Sequence, residues 1–123
     1  MANEITIKYS FSFTKNGQTM DPSNGLQTLQ VDVTGDNSLQ HIQSVGTSEE
    51  AITLGDITVG GYCFFKNLDA TNFVEIRQGT GASDLIRLNA GDVALFRISP
   101  DATAPYAIAD TASCDLLVAM VDL

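Results

Sequence analysis

Turn-forming residues interrupt this chain about every 8–12 residues, and that spacing leaves room for short strands but not for ordinary helices. The clearest segment is the first. Ile5, Ile7, Tyr9, Phe11 and Phe13 alternate with Thr6, Lys8, Ser10, Ser12 and Thr14. Alternation with a period of two predicts a strand with one wet face. Asn16-Gly17 ends it, and residues 15–25 read as a loop with two turn signals. Leu29, Val31 and Val33 alternate in a second strand, stopped by Gly35-Asp36-Asn37. Residues 38–46 carry Leu39, Ile42 and Val45 at helical spacing, but the stretch is short and ends at Gly46, so a strand is expected. Ala51–Leu54 predicts another.

The second half is denser. Tyr62-Cys63-Phe64-Phe65-Lys66 is a nearly continuous apolar run, which predicts a strand buried on both faces. Strands are expected at Phe73–Gln78, Leu85–Leu88, Val93–Ile98, Tyr106–Ala109 and Cys114–Val121. Between them lie Asn67–Asn72, Gly79–Ser83, Asn89-Ala90-Gly91-Asp92 and a loop with Pro100 and Pro105. The expected fold is therefore all-β: a single domain, 1–123, built as an antiparallel jelly-roll-like β-sandwich of about 8–10 short strands. A chain of 123 residues is long enough to bury a core without metals or disulfides.

Composition narrows the function. Charged residues make up 17% of the chain against a usual ~25%. Ser, Thr, Asn and Gln take their place, as in strands and turns, and as in surfaces that pack against neighbours. The net charge of −9 disfavours nucleic acid and anionic membranes as partners. Many aspartates (Asp21, Asp36, Asp56, Asp69, Asp92, Asp101, Asp110) sit where turns are expected. Met1-Ala2-Asn3-Glu4 has neither the basic start nor the apolar run of a secretory leader, which predicts synthesis in a cytoplasm. Cys63 and Cys114 stand in apolar strand contexts and are expected as buried free thiols.

Little points to catalysis. Nucleophilic catalysis commonly relies on histidine, and His41, the one histidine, is expected as a half-exposed polar residue. Two cysteines and one histidine do not make a tetrahedral zinc site. No phosphate-loop, dinucleotide or calcium-loop spacing occurs, and Gly79-Thr80-Gly81-Ala82 lies between strands. Paired carboxylates would suffice for glycoside hydrolysis, but the acidic residues fall at turns. The chain has no tryptophan, the usual sugar platform. No enzyme activity, metal or cofactor is expected. Arg77, Arg87 and Arg97 stand opposite core residues in their strands, such as Ile76, Ile86 and Phe96. Alternation predicts that they line one outer sheet face, with Glu75 as a cross-strand partner. Such a face is either solvated ion pairs or a contact surface for an acidic partner.

The later segments also resemble a known class. Tyr62–Asn67, Asn67-Leu68-Asp69-Ala70-Thr71-Asn72-Phe73-Val74-Glu75-Ile76, Leu88-Asn89-Ala90-Gly91-Asp92-Val93-Ala94-Leu95-Phe96-Arg97 and Tyr106-Ala107-Ile108-Ala109-Asp110-Thr111-Ala112 look like small tailed-phage virion proteins of jelly-roll type. The opening Met1-Ala2-Asn3-Glu4-Ile5 and Asp56-Ile57-Thr58 fit the same pattern. The resemblance implies a virion structural protein, foremost a capsid decoration (cement) protein on the outer capsid surface. It would bind the major capsid protein and copies of itself as a dimer or trimer. A tail, head–tail or head-fibre component is the alternative within that class, and a receptor- or glycan-binding module the alternative outside it. The expected contacts are the terminal strand, with Ile5, Ile7 and Tyr9, the loop 15–25, and Arg77, Arg87 and Arg97. The family offers no catalytic residue to carry over.

Overall fold

The computed structural model describes residues 3–57, 60–99 and 105–122. Met1, Ala2, Thr58 and the Pro100 loop lie outside them. All regular structure among the described residues is β, in antiparallel pairs. A length of 123 residues is that of one domain, and within it backbone contacts group the chain into two compact units, 1–34 and 35–123.

The first unit is an interrupted hairpin. Its inner part pairs β1 (Ile5–Tyr9) with β4 (Gln27–Val31), and its outer part pairs β2 (Phe13–Lys15) with β3 (Gln18–Met20). The ten-residue alternation thus yields two strands, not one. The loop expected at 15–25 holds the tip of a hairpin. Asn16 and Gly17 both take positive φ, at 52° and 78°, which suits the two-residue turns that match strand twist. Asp21 organises the segment opposite the break: its carboxylate accepts from the Ser23 hydroxyl at 2.8 Å and from the Gly25 amide at 2.9 Å. Ser23 in turn accepts from the Phe11 amide at 2.8 Å.

The second unit is a sandwich of two four-stranded sheets. One has the order β10-β7-β12-β5, with β10 at Val93–Arg97, β7 at Gly60–Asn67, β12 at Cys114–Asp122 and β5 at Ser38–Val45. The other has the order β6-β11-β8-β9, with β6 at Glu50–Ala51, β11 at Tyr106–Ala109, β8 at Val74–Arg77 and β9 at Asp84–Leu88. The stretch 38–46 is a strand as expected.

Inward residues of both sheets make one core. Val45, Cys63, Phe65, Leu116, Val118 and Met120 come from the first sheet, and Val74, Ile76, Leu88, Ala107 and Ala109 from the second. Strand β7 departs from expectation. Its apolar run is not buried on both faces: Cys63, Phe65 and Asn67 are buried, while Tyr62, Phe64 and Lys66 are half-buried on the outer side. An outer face with few charges reads, in sequence, like an inner one. Cys63 and Cys114 are buried free thiols, and burial pushes the Cys63 thiol up to about 11.

Candidate functional site

Three features of the surface bear on function: the hairpin, the arginines, and an apolar cavity in the sandwich.

The hairpin has no buried residue anywhere among its described positions, 3–34. Its register places Ile5 opposite Val31 and Ile7 opposite Leu29, so these four side chains share a face. Phe13 stands opposite Met20 in the outer part. Tyr9, Phe11, Phe13, Met20, Leu26 and Leu29 are each between 41% and 70% exposed. Ile5 and Ile7 are half-buried. A two-stranded ribbon is marginal in water without an apolar face covered. Here the side chains fit for such cover are present and face solvent. Of the contacts expected from the sequence, Tyr9 is therefore available, and Phe11, Phe13 and Met20 join it.

The arginines do not form one patch. Arg77 on β8 and Arg87 on β9 belong to one sheet, and Arg97 on β10 belongs to the other. Alternation fixes which way a side chain points along its own strand, but not which sheet the strand joins. The expected partner is correct: Glu75 lies opposite Arg87 and accepts from its Nε at 3.0 Å. Arg87 also lies over the Phe73 ring at 3.8 Å, and Arg97 over Tyr62 at 5.0 Å. Arg77 is committed within the fold. Its side chain is 16% exposed and donates to Glu49 at 2.8 Å and, through Nε, to Asp84 at 2.8 Å.

Glu49 also accepts from the Gly81 amide, so one carboxylate ties the β8–β9 turn to the loop before β6. The Arg77 hydrogen bond first, and the Gly81 amide second, hold the Glu49 carboxyl below its ordinary value. Amides of Asn72 and Thr71 do the same for Asp69. Folded values below the unfolded ones, near ~4, give stability that is present above about pH 4 and lost as pH falls through the folded values. Thermal midpoints measured against pH should therefore hold from neutrality down to about pH 5 and drop below about pH 4. The pair Glu49→Gln with Asp69→Asn should flatten that acid limb. An unchanged limb would remove these two groups as its cause.

The cavity, about 510 Å³, opens where β8 and β9 face β10 across the sandwich. Ile76, Leu85, Ile86, Phe96, Ile98 and Pro105 give it an apolar wall. Arg77 lines it too, already paired with Glu49 and Asp84. Its size is within the range of small-ligand pockets, and its chemistry suits an apolar group. His41, half-exposed as expected, contacts the Thr53 carbonyl through Nε2 at 3.1 Å. Among the described residues no cluster of His, Cys, Asp or Glu has the makings of a metal site. No helix of the described residues is long and apolar enough to cross a membrane.

The sequence gives little notice of one further residue. Asn67 is fully buried at the end of β7. Its Nδ2 donates to the carbonyls of Asn72 at 2.8 Å and Leu88 at 2.9 Å, and its Oδ1 accepts from the Asp69 amide at 2.9 Å. Read as one residue of an Asn-rich turn, it is instead the polar centre that joins two turns to the core. Comparison of the chain with family models, with curated proteins and with solved structures finds no match in any of the three.

Proposed function

We propose that this chain is a structural part of a tailed-phage virion, a capsid decoration (cement) protein that binds the major capsid protein on the outer surface of the shell. The observation that carries the reading is the hairpin: six large apolar side chains exposed on a unit with no buried residue among its described positions. Such a unit gains its stability when a partner covers it, and it suits a protein whose work is attachment.

We further read the unit 35–123 as a jelly roll. In support, its first, eighth, third and sixth strands share one sheet, and its second, seventh, fourth and fifth share the other. Consecutive strands cross between sheets at every step but one, β8 to β9. This wrapping is that of two Greek keys. The acidic balance of the chain, −9, favours a position away from packaged nucleic acid.

Particles depleted of the protein test the role. They should release their contents at lower temperature than intact ones, and re-addition should restore the shell. Equal resistance of both particles would overturn the cement reading. Quantitative mass spectrometry separates it from a tail or head–tail part, since a decoration protein is present at shell copy number. The variant Phe11→Ser, Phe13→Ser, Met20→Ser should melt like the parent, because the three side chains are exposed. It should bind shells about a hundredfold more weakly, a difference of roughly 3 kcal/mol. Unchanged binding would move the contact off the hairpin.

A further inference from the structure

We infer that β10 is a self-pairing edge, through which two copies of this chain join their sheets antiparallel about a two-fold axis at Leu95. Each sheet of the sandwich ends in two edges, and an unguarded edge is a template for another strand. Three of the four are guarded among the described residues. Strand β6 is only two residues long. Strand β9 carries a register shift at Leu85, and its Asp84 is held by Arg77. Strand β5 is covered by the segment that follows it: Gln43 donates to Glu50 and to the Ala51 carbonyl and accepts from the Thr53 amide.

Among the described residues, strand β10 has no such device. Its five residues pair with β7 in unbroken register. No proline or lysine interrupts Val93–Arg97. Its single charge, Arg97, lies over the Tyr62 ring. Val93 and Leu95 are 55% and 46% exposed.

The hydrogen-bond phase selects the occupant. The Ile98 amide bonds the Gly61 carbonyl at 3.0 Å, and the Asp92 carbonyl accepts from the Asn67 amide at 3.1 Å. Antiparallel pairing alternates, so the even-numbered residues spend their amides and carbonyls on β7. Val93, Leu95 and Arg97 then present theirs outward. This set is centred on Leu95. A two-fold axis there sets Leu95 against Leu95 and Val93 against Arg97 of the second copy, which satisfies all three residues in both copies. A foreign strand would meet the same groups but lacks this built-in symmetry. The inference does not depend on where in a particle the chain sits.

The test uses the full chain. Sedimentation should give twice the 13.1 kDa monomer mass, with dissociation in roughly the micromolar range expected of a small interface. Leu95→Lys, at an exposed site, should keep the fold and weaken association by about tenfold or more. Under mild oxidation Leu95→Cys should form a covalent dimer, since paired strands hold Cα atoms about 5.5 Å apart, within disulfide reach. Val93→Cys alone should stay uncoupled, while Val93→Cys mixed with Arg97→Cys should cross-link. A chain that stays monomeric, or a dimer that survives Leu95→Lys without cross-linking at 95, overturns the proposal. Cross-linking of Val93→Cys to itself overturns the two-fold at Leu95. The free protein reports on this edge and shell stability reports on the virion role, so the two fail separately.

Discussion

Asn67→Ala should cost the fold roughly 3–5 kcal/mol, because it strands several buried polar groups at once. Two carbonyls, of Asn72 and Leu88, lose their donor, and the Asp69 amide loses its acceptor. An exposed asparagine would be replaced by water at little cost. Asn67 is fully buried, and water has no ready way in. Its backbone adds to the effect of position, since its amide donates to the Asp92 carbonyl and its carbonyl accepts from Gly91. Asn67→Asp is the sharper control. It keeps the size and the acceptor for Asp69, but it removes both side-chain donors and buries a charge. It should be at least as damaging as alanine. Urea titration followed by fluorescence would measure both. A loss below about 1 kcal/mol would mean that the two turns hold their shape without this hub.

Phe65→Ala is the largest packing lesion and should cost roughly 3–5 kcal/mol. Phe65 is fully buried on the inner face of β7 and meets the Phe96 ring at 5.8 Å between centroids. Its strand is flanked on both sides, by β10 and β12, so the surrounding backbone has little freedom to close the void. Phe64→Ala, one residue away on the outer face, should cost far less. The contrast between neighbours tests the inward and outward assignment of β7 directly. Equal losses would contradict the register of this sheet.

Strand positions were legible in the sequence because each is a short apolar segment closed by a turn residue. Ser38–Val45 came through despite its helical spacing, since Gly46 limits it to less than a stable helix. Tyr106–Ala109 and the closing strand were equally plain. Sheet membership was not legible. Arg87 and Arg97 have the same local pattern, yet they stand on different sheets, because the chain crosses over between β9 and β10. The hairpin tip is hidden from the sequence for another reason. Of residues 18–20 Met20 alone is apolar, so they show no alternation of their own, and their strand form follows from the Asn16-Gly17 turn that sets them against Phe13–Lys15. Of the expected contact residues on the hairpin, Tyr9 is exposed while Ile5 and Ile7 are half-buried, a difference the alternation does not show. Alternation puts Phe11 and Phe13 on a strand face, and only the three-dimensional arrangement leaves them uncovered.

Strand β12 lies between β5 and β7, both of which precede it by many residues. On a ribosome, which makes roughly 5–20 residues each second, those two neighbours must wait for seconds with their pairing edges open. The sandwich therefore cannot close during synthesis of its first seven strands. Its folding is dominated by distant contacts and belongs among the slower single-domain cases. A product that stops short of Cys114 would carry two sticky edges and a core without Cys114, Leu116, Val118 and Met120, a form suited to capture by chaperones or proteases. Quality control is thus built into strand order: only a chain read through β12 closes both sheets of the sandwich.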